Sequence, residues 1–109
     1  MYTNKSIMTS TGSGAVDIDI DLPYQFGLYG IRISTGGDVT TSENLTLKLT
    51  DDSSIDDLLF SQNMSVVDST TAEKRWAPLS PVKADQTIEI DWDNSDSVDW
   101  KIDLFYEVA

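Results

Sequence analysis

Three aspartates in one alternating run are the first candidates for chemistry in this sequence. Asp17, Asp19 and Asp21 alternate with apolar residues, so an extended strand would place their carboxylates on one face, about 7 Å apart. Carboxylate oxygens suit Ca²⁺, and a row of them also suits a basic partner. The alternative is a solvated face whose charge is relieved by Lys or Arg on a neighbouring strand. We predict the solvated face and no bound metal. Under the alternative of a metal site, Asp17, Asp19 and Asp21 are the candidate ligands.

Two further segments, 51–57 and 91–96, are rich in Asp but do not follow the EF-hand pattern. An EF-hand loop needs Gly at its sixth position and Glu at its twelfth. Counted from the first Asp of each segment, the sixth residue is Asp56 or Asp96 and the twelfth is not Glu. Asp and Asn are ordinary turn formers, so both segments are predicted to be turns.

The composition excludes most catalytic chemistry. The chain has no His and no Cys, which removes the usual general base, the usual partner of a serine nucleophile and thiolate metal sites. Paired carboxylates could still hydrolyse glycosides, but that reaction needs two acids facing each other across a cleft. A chain of 109 residues whose acids lie on exposed strand faces offers no such cleft. We therefore expect no enzyme activity and no cofactor, and a small carboxylate enzyme is the third hypothesis for function.

The charge of the chain limits its partners. Nineteen acidic residues against seven basic ones give a formal net charge of −12. Nucleic acid and anionic membranes are bound through clustered Lys and Arg, so neither is an expected partner. There is no apolar run of about 18 residues and no signal-peptide pattern at the N-terminus. We expect a protein that is made in the cytoplasm and used without export through the Sec pathway.

The elements that must position these residues are β-strands. Apolar and polar residues alternate over 86–92 and again over 98–106, with Phe105 as the one break. Alternation of this kind buries one strand face and leaves the other in water. The five residues between the two runs predict a hairpin. In that hairpin Trp92 lies beside Val98, Ile90 beside Trp100, and Glu89 opposite Lys101.

The three tryptophans offer an alternative function, sugar binding. The predicted hairpin places Trp92 and Trp100 on its apolar face, where aromatic contacts stabilise a sheet, so both are assigned to the core. Trp76 follows Arg75 and precedes Pro78, and no alternating pattern constrains it. It is therefore the tryptophan predicted to contact a partner.

Further strands are predicted at Val16–Leu22, Phe26–Ser34 and Leu45–Thr50. Leu58–Gln62 is either a short strand or the end of a helical turn that begins near Ser54, and Pro78 and Pro81 are expected to break the chain before the hairpin. Strands about ten residues apart are typical of an antiparallel sandwich. The predicted fold is an all-β antiparallel sandwich of about eight strands, in a jelly-roll arrangement. Residues 15–109 form this single domain, and residues 1–14 form an N-terminal arm or short edge strand.

The order of segments in the second half resembles that of a known class of proteins. It runs from Leu45-Thr46-Leu47-Lys48-Leu49 through 57–65 to Arg75-Trp76-Ala77-Pro78-Leu79, then 84–92 and a last strand near the C-terminus. This layout, over residues 26–109, is similar to that of capsid decoration (cement) proteins of tailed bacteriophages. The resemblance is one of pattern and loop order and includes no specific short motif, so no binding residue is carried over from it.

The resemblance implies a non-enzymatic protein of the virion, placed on the outer surface of the capsid. Its expected partners are the major capsid protein and further copies of itself, most simply in a homotrimer. The N-terminal arm is the predicted capsid contact, ordered on binding, with Tyr2, Ile7 and Met8 as its anchors and Trp76 as a further contact. The second hypothesis is a carbohydrate- or receptor-binding sandwich module of a virion.

Overall fold

The computed structural model describes residues 4–51, 56–66 and 71–108, which form eight strands and one 3₁₀ turn at Met64–Val66. The strands are β1 (Asn4–Gly12), β2 (Val16–Ile20), β3 (Phe26–Thr35), β4 (Asn44–Thr50), β5 (Asp57–Asn63), β6 (Thr71–Val82), β7 (Thr87–Trp92) and β8 (Trp100–Val108). Within these ranges there is no helix long and apolar enough to span a membrane.

The strands form two four-stranded antiparallel sheets, which confirms the predicted β-sandwich. Sheet A has the order β1-β8-β3-β6 and sheet B the order β2-β7-β4-β5. Each strand of the first half pairs with one of the second half: β1 with β8, β2 with β7, β3 with β6 and β4 with β5. This is the pattern of one long two-stranded ribbon rolled into a sandwich, which is the jelly-roll arrangement.

The core lies between the sheets and consists of the apolar members of the alternating runs. Its fully buried side chains come from both halves of the chain: Phe26, Leu28, Ile31, Ile33, Leu45, Leu47, Met64, Val82, Ile88, Ile90, Ile102 and Leu104. Trp92 and Trp100 are also buried in it, as the sequence predicts. Burying these side chains supplies the main free energy of folding, at about 25 cal/mol per Å² of apolar surface.

The predicted C-terminal hairpin is wrong, although both of its strands exist. β7 pairs with β2 and β4 in sheet B, whereas β8 pairs with β1 and β3 in sheet A. Residues 93–99 therefore carry the chain from one sheet to the other, and we call them the crossover. The expected pair of Glu89 and Lys101 does not form, because Glu89 lies on sheet B beside Lys48, with 3.9 Å between Nζ and Oε2.

Two other segments differ from expectation. Pro78 and Pro81 both lie within β6, an edge strand of sheet A, and do not end it. Pro81 pairs with Gly27, whereas Pro78 lies among residues 76–79, where the register with β3 shifts and the ladder is interrupted; edge strands and bulges are the places where a sheet accepts proline. At the opposite edge, residues 4–12 form β1, which pairs with β8 at nine positions. Of the two alternatives for residues 1–14, the structure has an edge strand over this range.

Candidate functional site

The aspartates of β2 lie on the outer face of sheet B. Asp17 and Asp19 are exposed on that face, whereas Asp21 follows the end of the strand. The neighbouring strand β7 places Asp91 opposite Asp17 and Glu89 opposite Asp19. The adjacent strand therefore adds negative charge at the place where we expected Lys or Arg to relieve it.

Electrostatics on this face are unfavourable near Asp91. Partial burial raises the pKa of the Asp91 carboxyl above its ordinary value, and the charge of Asp17 and a hydrogen bond with it raise it further. Lys48 opposes this shift from β4, and its Nζ lies 3.7 Å from Asp56 Oδ2 as well as near Glu89. Among the residues that the structure describes, no group of three or more acidic side chains is arranged to hold a metal ion.

The outer face of sheet A is of a different kind, with an aromatic ring at its centre. Phe105, the break in the alternation of β8, lies on this outer face and is nevertheless buried. The guanidinium of Arg75 stacks on it with Cζ 4.2 Å from the ring centroid, and Arg32 Cζ lies 5.4 Å away. The Tyr29 ring lies 5.8 Å from it, centroid to centroid. A cation is attracted to the face of an aromatic ring, so the two guanidinium groups stabilise this cluster on a solvated surface.

Two local features of β3 make room for this cluster. Its pairing with β8 shifts register between Leu28 and Gly30, so Tyr29 leaves the alternation and joins the outer face. Gly30 lies directly beneath the stack, where an added Cβ would come within 2.8 Å of Arg75 Nη1 and 3.2 Å of the Phe105 ring. Glycine thus permits the close approach of the two side chains to the backbone, and a larger residue here would displace Arg75 from its stacked position.

A buried carboxylate ties three strands of sheet A together beside the cluster. Asp103 accepts a 2.7 Å hydrogen bond from the Thr9 hydroxyl and a 2.7 Å charge-assisted bond from Arg32 Nη2. The Thr9 bond, followed by the Arg32 guanidinium, holds the pKa of Asp103 below its ordinary value despite burial. The network fixes Arg32 in position next to Phe105.

The predicted contact residues are distributed over sheet A. Ile7 lies opposite Phe105 on the outer face, and its side chain is 60% exposed. Met8 points the other way and packs against the core, as does the half-buried Trp76 of β6. Tyr2 lies outside the described residues. Sequence analysis missed the Phe105 cluster, although the break in alternation at that position was its signal.

The cleft that the structure shows at one end of the sandwich does not provide a catalytic pair. It is open, has a volume of about 540 Å³, and lies between the β1–β2 turn, the end of β3 and the start of β8. Asp99 is the one carboxylate among its described lining residues. Hydrolysis by paired carboxylates would need a second acid facing it across the cleft.

Comparison with known proteins identifies the fold. A chain in the acidic stable capsid structure of Helicobacter pylori bacteriophage KHP30 superposes with a TM-score of 0.67. The match covers 99% of this chain and 90% of that one, at 9% sequence identity. No family model and no curated protein matches the sequence. The likeness shows a shared fold, and the matching chain comes from a bacteriophage capsid structure.

Proposed function

We propose that this protein is a non-enzymatic structural component of a bacteriophage virion, a decoration protein that binds the outer surface of the head and stabilises it. The observation that carries the proposal is the jelly-roll likeness to a phage capsid chain over 99% of the sequence. The likeness extends to 90% of the other chain, so it concerns a whole domain of the same size and not a common substructure.

The chemistry of the chain supports a role in assembly. It lacks His and Cys, and its open cleft has one carboxylate among the lining residues that the structure describes. Its partners in this proposal are the major capsid protein and further copies of itself, and the expected assembly is a trimer. Most soluble oligomers are closed and symmetric, because every copy then makes the same contacts and no binding surface is left open.

The test is binding to heads of the virus that encodes the chain, prepared without it. We expect the purified protein to have three times the 12.1 kDa chain mass in light scattering, to sediment with the heads, and to raise the temperature at which they rupture. Bovine serum albumin at equal concentration controls for trapping in the pellet. Failure to sediment with heads at micromolar concentration would contradict the proposal, and a monomer that does bind would contradict the trimer alone.

A further inference from the structure

We propose that the outer face of sheet A is the surface with which this protein binds the head, and that it fits an acidic protein surface that also makes an apolar contact with Ile7. The inference rests on the proposed function and names the face that carries it out. The docking face, as we define it, comprises outward side chains of β1, β3, β6 and β8: Lys5, Ile7, Tyr29, Arg32, Glu73, Arg75, Lys101, Asp103, Phe105 and Glu107.

The first argument is charge. Four of the seven basic residues of the chain, Lys5, Arg32, Arg75 and Lys101, share the docking face with three carboxylates. Two of these acids are ion-paired within the face, Asp103 with Arg32 and Glu73 with Arg75, so the face carries a net charge of +1, four bases minus three acids. The chain as a whole carries a net charge of −12, so this face differs strongly from the rest of the molecule. Complementary charges steer association, which indicates an acidic partner surface.

The second argument is the kind of side chain at the centre. Tyr and Arg dominate the binding energy of protein interfaces, and here they surround a buried Phe. Arg75 is already ordered by stacking on Phe105, at 4.2 Å, and Arg32 by its bond to Asp103. Side chains fixed before binding lose less conformational entropy when a partner arrives.

The third argument is Ile7, a large aliphatic side chain that is 60% exposed at the rim of the Phe105 cluster. Leu58 of β5, in sheet B, is exposed to the same degree, 59%, but its neighbours differ. It lies opposite Lys48 in a sheet whose outer face is acidic. Ile7 and Leu58 are therefore matched positions for substitution, since replacing either one by Ser removes an exposed aliphatic side chain.

The opposite face of the molecule is unsuited to an acidic partner. The outer face of sheet B presents Asp17, Asp19, Glu89 and Asp91, with Lys48 among them. In the proposed arrangement this acidic face points away from the head. Like charges on the exposed surfaces of neighbouring particles would then keep heads apart in solution.

The experiment compares single variants in the head-binding assay. We expect Ile7→Ser and Lys5→Glu each to weaken binding by about tenfold or more, and Leu58→Ser and Lys48→Glu, both in sheet B, to bind like the wild type. Circular dichroism and thermal unfolding establish that each variant is folded. Binding of the wild type should weaken as NaCl is raised, because the contact is partly electrostatic.

A second measurement needs no variant. On decorated heads, acetylation of Lys5 and Lys101 should be slowed at least about tenfold relative to the free protein, while Lys48 on the acidic face reacts unchanged. Protection of Lys48 with Lys5 and Lys101 unprotected would overturn the choice of face.

The outcomes separate the two proposals. Wild-type protein that does not bind heads would refute the proposed function and, with it, this inference. Heads that bind Ile7→Ser and Lys5→Glu as well as the wild type would refute the docking face alone. If the wild type binds double-stranded DNA and Lys5→Glu does not, the partner of this face is nucleic acid and the proposed acidic protein surface is refuted.

Discussion

At the scale of single residues, the chain places its charges unevenly, and two aspartates experience opposite environments. Asp91 lies among other carboxylates on sheet B, whereas Asp96 in the crossover accepts hydrogen bonds from Thr40 and Thr41. The same residue type thus destabilises the fold at one position and stabilises it at the other. Both effects can be measured as a dependence of stability on pH.

We expect Asp91→Asn to raise the free energy of unfolding at pH 7 by about 0.2–1 kcal/mol, the size of a like-charge pair directly across a sheet. Folding raises the pKa of Asp91, mainly by burial and then through Asp17, so its ionised form costs stability above its ordinary pKa. That cost disappears as the pH falls through the raised pKa. Urea unfolding at several pH values measures this. Asp21→Asn, beyond the end of β2, is the control, and a variant no more stable than that control would contradict the expectation.

Asp96→Asn should have the opposite effect and lower the free energy of unfolding at pH 7. The backbone N–H of Thr40, followed by the hydroxyls of Thr41 and Thr40, lowers the pKa of Asp96 to about 2. A lowered pKa in the folded state means that the carboxylate stabilises the protein above its ordinary pKa of 3.8, and that this contribution is lost as the pH falls toward about 2. The variant should be less stable than the wild type at pH 7, with the difference fading between pH 4 and 2. A difference independent of pH, or one equal to that of Asp93→Asn, would contradict it.

At the scale of elements, the crossover between β7 and β8 decides the topology. Its Asn94 is 3% exposed and donates hydrogen bonds to Gly14 O at 2.9 Å and Val98 O at 3.0 Å, while accepting one from Val98 N. The indole N–H of Trp100 also donates to Gly14 O, at 2.9 Å. These bonds fasten the crossover to the β1–β2 turn, so the chain enters sheet A instead of turning back beside β7.

The side chain of Asn94 should therefore matter for stability. Asn94→Ala loses these bonds and is expected to cost about 1–3 kcal/mol. Its φ of 49° lies in the left-handed region, which adds strain for alanine. Asn94→Gly loses the same bonds but adopts this backbone conformation freely, so it should cost less than Asn94→Ala. Chemical denaturation of the three proteins gives both differences. Equal stability of all three would show that the side chain does not fasten the crossover.

At the scale of the whole molecule, the rolled ribbon produces two outer faces of different character. One face carries Asp17, Asp19, Glu89 and Asp91, and the other carries most of the basic side chains around Phe105. The faces lie on opposite sides of the same core, so one copy can bind an acidic surface while presenting acids to solvent. This polarity fits the proposal that one face binds the head, which the head-binding experiment tests.

Alternation in the sequence was enough to predict most of the strands, the all-β class and most of the core, but not β6, whose Pro78 and Pro81 were expected to break the chain. Alternation is a property of a single strand, because successive side chains point to opposite faces whatever the strand pairs with. For the same reason Trp92 and Trp100 could be placed in the core although their predicted pairing was wrong.

Which strands are neighbours, and which side chains share a face, could be read from the folded structure alone. Pairing depends on contacts between distant parts of the chain: β8 lies between β1 and β3, and β7 between β2 and β4. The alternation of Ile88, Ile90 and Trp92 would be the same in a hairpin and in a jelly roll. The Phe105 cluster likewise needs Arg32, Arg75 and Tyr29 from two other strands, together with a bulge in β3 that no local pattern predicts. The candidate site therefore exists only in the folded chain, which brings together residues that are far apart in the sequence.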